Sequence, residues 1–96
     1  MLKLKATVIW KSAAEGGLSP PPTSGIQPSF KVAQDLILSR ILHPDKKQMQ
    51  PGIPYEVTVE LPYGEIYEKH IQEGMAFTLN VGARIVANGV VKKKQA

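Results

Sequence analysis

The sequence predicts an all-β protein, a small six-stranded antiparallel barrel, and three observations carry that prediction. Apolar residues alternate with polar ones in several short segments. Gly- and Pro-rich turns separate those segments, and no stretch shows an unambiguous helical period. At 96 residues the chain is long enough for one domain. It contains no cysteine, so neither disulfides nor a thiolate metal site supports the fold, and stability must come from an apolar core.

The first strand is read from parity. Leu2, Leu4, Ala6, Val8 and Trp10 take one face, while Lys3, Lys5, Thr7 and Lys11 take the other. From Ser12 to Pro28 the composition shifts to Ser, Gly and Pro, which reads as one long loop, a place where binding residues are often found. Ser29 to Ala33 and Leu36 to Leu42 are apolar strand segments, although Val32 to Leu42 also scores as helix and periodicity does not decide between them. His43-Pro44-Asp45-Lys46-Lys47 and Pro51-Gly52 are turns. Tyr55, Val57, Val59 and Leu61 alternate with Glu56, Thr58 and Glu60 in the clearest strand. After a segment from Glu65 to Ile71, Met75, Phe77, Leu79 and Val81 alternate in the same way. Gly82-Ala83 suits a tight turn with glycine first, so Met75 to Val91 reads as a closing hairpin. Residues 1–91 form the expected domain and 92–96 a basic tail.

The net charge of +4 is concentrated at the chain ends: Lys92, Lys93 and Lys94 supply three of the four charges, and Lys3, Lys5 and Lys11 form a second cluster. Such clusters attract phosphates or acidic surfaces, or keep an edge strand and a tail soluble. No segment reaches membrane-spanning length, and the first residues lack a continuous apolar run, so a cytoplasmic protein with no membrane partner is expected.

Catalytic constellations are not visible. His43 and His70 have no partner at a metal-ligand spacing. Glu56 and Glu60 share a strand face opposite an apolar one, the pattern of a solvated surface, and no serine sits in a Gly-x-Ser-x-Gly context. The expectation is a non-enzyme without cofactor or metal. Trp10 and Tyr55 fall on core parity. Tyr63 and Tyr67 are the candidates for exposed aromatic contacts, and Arg84, just after the hairpin turn, for a phosphate or carboxylate contact.

The order of the landmarks resembles the C-terminal β-barrel of the elongation factor Tu family over nearly the whole chain. Lys5 to Lys11 is similar to its opening strand, Glu15-Gly16-Gly17 to its Glu-Gly-Gly loop start, and Gly25-Ile26-Gln27-Pro28-Ser29-Phe30 to its Gly-Tyr-Arg-Pro-Gln-Phe. Met49-Gln50-Pro51-Gly52 is similar to its Met-x-Pro-Gly turn, and Glu73 to Val91 to its last hairpin.

The resemblance implies the fold, as a stand-alone barrel without the GTP-hydrolysing domain. No Gly-x-x-x-x-Gly-Lys-Ser/Thr loop is present, and GTP is not an expected ligand. In the family this barrel helps to hold aminoacyl-tRNA through an Arg-Glu-Gly group, which is Asn80-Val81-Gly82 here, and through a basic stretch that is Leu18-Ser19-Pro20-Pro21-Pro22 here. Gln27 stands where the family has arginine. Scaffold residues are kept and RNA contacts are replaced. The expected function is therefore a protein-interaction module. The alternative is weak, sequence-nonspecific RNA backbone binding through Lys3, Lys5, Lys11, Arg84, Lys92, Lys93 and Lys94.

Overall fold

A computed structural model describes residues 1–45 and 47–95. Lys46 in the His43–Lys47 turn and Ala96 of the expected tail lie outside the described residues.

Seven strands form one antiparallel sheet curled as a half-barrel: β1 (Leu2–Trp10), β2 (Ser29–Val32), β3 (Asp35–Leu38), β4 (Arg40–Leu42), β5 (Pro54–Leu61), β6 (Ala76–Val81) and β7 (Arg84–Gln95). Their order is β3-β2-β6-β7-β1-β5-β4. The all-β expectation holds, but the hydrogen-bonded sheet is not a closed ring of six strands. The segment left open between helix and strand is extended, and Ser39 divides it into β3 and β4, which stand on the two edges. Ser39 is fully buried, and its hydroxyl donates to the Pro28 carbonyl at 2.5 Å, which satisfies the one polar group that this break takes into the core.

β1 follows its parity: Leu2, Leu4, Ala6, Val8 and Trp10 are all buried. It pairs with β5 on one side and β7 on the other, so both its edges are satisfied and its even residues anchor the core. Val57, Val59 and Leu61 of β5 and Phe77 and Leu79 of β6 join the same cluster. The expected turn at Gly82-Ala83 links β6 to β7, with Gly82 at φ +60°. A segment that the sequence left unassigned gains an element, and the expected tail is replaced by strand. Gly64–His70 is a 3-10 helix leading to buried Ile71, and Arg84–Gln95 is a continuous strand, so Lys92 to Gln95 belong to the sheet rather than to a tail.

The long Ser12–Pro28 loop is built into the fold. Its first turn is held by Glu15, whose carboxylate accepts from the Ser12 hydroxyl at 3.0 Å, and by the Gly17 N–H on the Ser12 carbonyl at 2.8 Å. A Cβ on Gly17 would lie 1.9 Å from the Lys11 carbonyl oxygen, so only glycine fits that bend. Further on, Ile41 donates to Ile26 at 2.9 Å and accepts from Gly25 at 2.7 Å, while Met49 donates to Pro22 at 2.8 Å. The loop thus lies along β4 and pairs with its outer edge.

Phe77 stacks on Phe30 with ring centroids 4.6 Å apart, and directly across the ladder from it is Gly89. The ring fills the space that a side chain there would need, since a Cβ on Gly89 would fall 2.3 to 2.8 Å from three Phe77 ring atoms. Phe77 is 5 % exposed, so Phe77→Ala is expected to cost about 3 to 5 kcal/mol in urea unfolding. Gly89→Ala is expected to cost about 1 to 3 kcal/mol through overpacking, and the loss in Gly89→Ala/Phe77→Leu should be smaller than the sum of the two single losses. Strict additivity would show that the ring and the glycine do not constrain each other.

The β2–β3 hairpin turns through Ala33 (φ +49°) and Gln34 (φ +72°), the left-handed pair that Asn-Gly adopts at least cost. Replacing Ala33-Gln34 by Asn-Gly should stabilise the protein by about 1 to 2 kcal/mol, read as a rise in Tm of several degrees.

Candidate functional site

The candidate basic residues form two groups at opposite ends of the sheet. Lys11 donates its backbone N–H to Val86 at 2.9 Å, and the Arg84 side chain passes beside Gly16, so these two flank the start of β7. The lysines at the other end of β7 lie roughly 30 Å along the strand from Arg84. There the pairing of β1 with β7 brings Lys3, Lys5 and Lys93 onto one outward face, with Lys3 opposite Gln95 and Lys5 opposite Lys93.

A bulge decides which of the three consecutive lysines join that face. Ala6 pairs with Val91 and Lys5 with Lys93, so Lys92 is an extra residue in the ladder. In a regular strand Lys93 would share the parity of the core. The inserted residue reverses the parity, leaving Lys92 and Lys93 both exposed and setting Lys94 opposite buried Leu4. Lys94 lines a depression of about 350 Å³ together with Met1, Leu2, Glu65, Glu68 and Gln95. The Met1 ammonium donates to Glu65 there and holds its carboxyl below the usual carboxylate range.

Two of the outward cations share a carboxylate. Lys3 Nζ lies 3.7 Å and Arg40 Nη1 3.8 Å from the two oxygens of Glu60. Glu56 accepts from the Thr7 hydroxyl at 2.8 Å and stays exposed, so the glutamates lie on the outward face as expected and also serve as cross-strand partners for β1 and β4. Lys5 reaches only the Thr58 hydroxyl, at 3.1 Å, and faces Lys93 directly. Among the described residues neither forms an ion pair.

Beside this charged end, the outer face of β1, β7 and β6 carries two exposed apolar side chains. Ile9 is 43 % and Val90 38 % exposed, and with Thr7, Ala76, Asn88 and the Gly89 backbone they line a shallow depression of about 210 Å³. The sequence reading passed over Ile9 and Val90. The signal was there in both cases: Ile9 shares the parity of Lys3, Lys5 and Thr7, and of two consecutive valines in a strand one must face outward.

The aromatic candidates separate. Tyr63 is 63 % exposed, whereas Tyr67 packs against the core and donates its hydroxyl to Asp35 Oδ2 at 2.7 Å. Trp10 is buried and Tyr55 is partly buried, with its hydroxyl accepting from the Gln50 N–H at 2.7 Å and the His43 ring set edge-on to it. Among the described residues no three His, Cys, Asp or Glu side chains converge as metal ligands. No described helix is long and apolar enough to cross a membrane.

The Tyr67 phenol donates to a carboxylate, and ionising it would set two negative charges against each other, so its pKa is raised above the ordinary phenol value by Asp35 first and by desolvation second. The raised folded-state value means that this stabilisation is complete below the unfolded phenol pKa and is lost as pH rises through the folded one. In a spectrophotometric titration, Asp35→Ala is expected to return one of the three tyrosines toward the ordinary value. An unchanged titration would show that the pair is not formed in solution.

Compared with models of protein families, the sequence matches none.

Proposed function

We propose that this chain is a non-catalytic binding module that engages another protein through the outer face of β1, β7 and β6, on a barrel scaffold of the kind found at the C-terminus of elongation factor Tu. The observation that carries the functional reading is the pair Ile9 and Val90, exposed side by side around one shallow depression on an otherwise polar sheet face. The centre of a protein interface is depleted of charge and rimmed by polar groups, and this face has that composition.

The scaffold reading draws support from chain geometry. Only Ser39 separates β3 from β4, and the Ile26–Ile41 bridge continues the β2–β3 register onto β4. β4 in turn pairs with β5. Asp35 to Leu42, taken as one bent strand between β2 and β5, supports a barrel-like strand order, while the hydrogen-bonded sheet itself stays open between β3 and β4. The family-like motifs also have structural duties: Glu15 and Gly17 hold the loop start, Met49 is buried, and Gly52 donates to the Trp10 carbonyl at 2.9 Å.

The RNA reading has one observation in its favour, the convergence of Lys3, Lys5 and Lys93 on one face. Both readings meet in a capture experiment from cell extract. A protein partner should be retained after nuclease treatment and lost on Ile9→Asp or Val90→Asp, with circular dichroism unchanged. Capture that nuclease abolishes and these substitutions leave intact would favour RNA. In that case Lys92, Lys93 and Lys94 changed together to Gln should flatten the slope of log K against log salt by up to roughly 2.

A further inference from the structure

We propose that the segment recognised by this face is acidic as well as apolar: apolar side chains seat over Ile9 and Val90 while its carboxylates reach Lys5 and Lys93. This rests on the protein-interaction reading above and specifies the chemistry of the partner.

Among the described residues, the charges of Lys5 and Lys93 have no ion-pair partner. On the face in question Glu60 is paired with Lys3 and Arg40, while Glu56 accepts from the Thr7 hydroxyl and keeps its charge, with no ion pair to Lys5 or Lys93. Lys5 and Lys93 are placed directly opposite each other in the β1–β7 ladder, an arrangement of like charges that costs stability and that an incoming anion relieves. The Lys92 bulge decides which lysine fills that place: with it Lys93 stands opposite Lys5, and in an unbulged ladder Lys92 would stand there.

Position fixes the direction of binding. Thr7 and Val90, which line the apolar depression, are paired with each other, and Lys5 lies two residues before Thr7, about 7 Å along β1. The apolar seat and the lysine pair therefore fit within a few residues of one extended segment. Glu56 stands beside Thr7 on β5, so carboxylates approaching from that side are repelled. The favoured segment carries its acidic residues toward the β7 end of the lysine pair. Opposite charge across an interface rim chiefly sets specificity and encounter rate, and the apolar seat supplies the burial.

The test is selection of random linear peptides displayed on phage against the immobilised full chain. Individual peptides would then be measured with the wild type, Lys5→Gln/Lys93→Gln and Val90→Asp. Selected sequences are expected to be enriched in Asp and Glu next to Leu, Ile, Val or Phe. The lysine double variant should weaken their binding roughly threefold to tenfold, and Val90→Asp should abolish it. In NMR titrations the Ile9 and Val90 methyl signals should shift with the peptide. Peptides that bind through Val90 without acidic enrichment, and with equal affinity for the lysine variant, would overturn the acidic assignment and leave the interaction reading standing. Failure to select any peptide that depends on Val90 would overturn both. Single-stranded RNA shifting the same lysine signals in place of peptide would assign the charged end to nucleic acid.

Discussion

Everything in this molecule is referred to the alternation of β1. It is the one strand whose two neighbours, β5 and β7, both run beside it for most of its length, and its odd and even residues therefore define the outside and inside of the sheet for three strands at once. A one-residue slip would carry Leu2, Leu4, Ala6, Val8 and Trp10 to solvent together, so register is fixed by the whole row of side chains rather than by any single contact. The same rule that buries the core makes Lys3, Lys5, Thr7 and Ile9 neighbours on the outer face. Core and candidate surface are two readings of one periodicity.

Departures from that periodicity are where the surface is shaped. The bulge at Lys92 changes which lysines face out, and a second irregularity between Leu79 and Asn80 makes Val86 the extra residue, leaving Val86 and Ala87 both buried. Ser39 does comparable work at the sheet edges, since the break it makes lets one nearly continuous segment serve β2 on one side and β5 on the other. The Ser12–Pro28 loop then pairs with the outer edge of β4. β3 is left as the short edge, with Leu36 and Leu38 exposed on it.

The alternation read for β6 holds for Phe77 and Leu79 but fails beyond the ladder irregularity, where Asn80 is buried and Val81 is 46 % exposed. Strand identity and burial on β1 and β5 were legible because each is a clean alternation with only one face in the core. Val32 to Leu42 was not, because its hairpin turn is made by Ala33 and Gln34, residues with no turn preference forced into a left-handed conformation, and because Ser39 interrupts the pattern without a Gly or Pro to mark it. The Gly64–His70 3-10 helix escaped for a similar reason, being too short to show a period. Of the candidate site, the lysines were legible as two clusters at the chain ends, but the meeting of Lys3 and Lys5 with Lys93 depends on the β1–β7 pairing. Lys11 and Arg84 could not be separated from that cluster without knowing that β7 runs on to Gln95. The exposure of Tyr63 was legible from its place in a turn. The bond from Tyr67 to Asp35 was not, since it joins residues that only the fold brings together.

The extra residue at Lys92 also determines what insertions and deletions do at this end of the chain. Removing any one of three consecutive identical lysines would erase the bulge and restore a plain ladder, yet the two that remain would still stand opposite Lys5 and Leu4, so one positive charge would leave the outer face and the others would keep their places. The length of the lysine run thus sets how many charges the outer face carries there, and the bulge absorbs the difference. Two chains differing there by a single codon would share a fold and the lysines opposite Lys5 and Leu4, and would differ by the one lysine that stands outside the ladder.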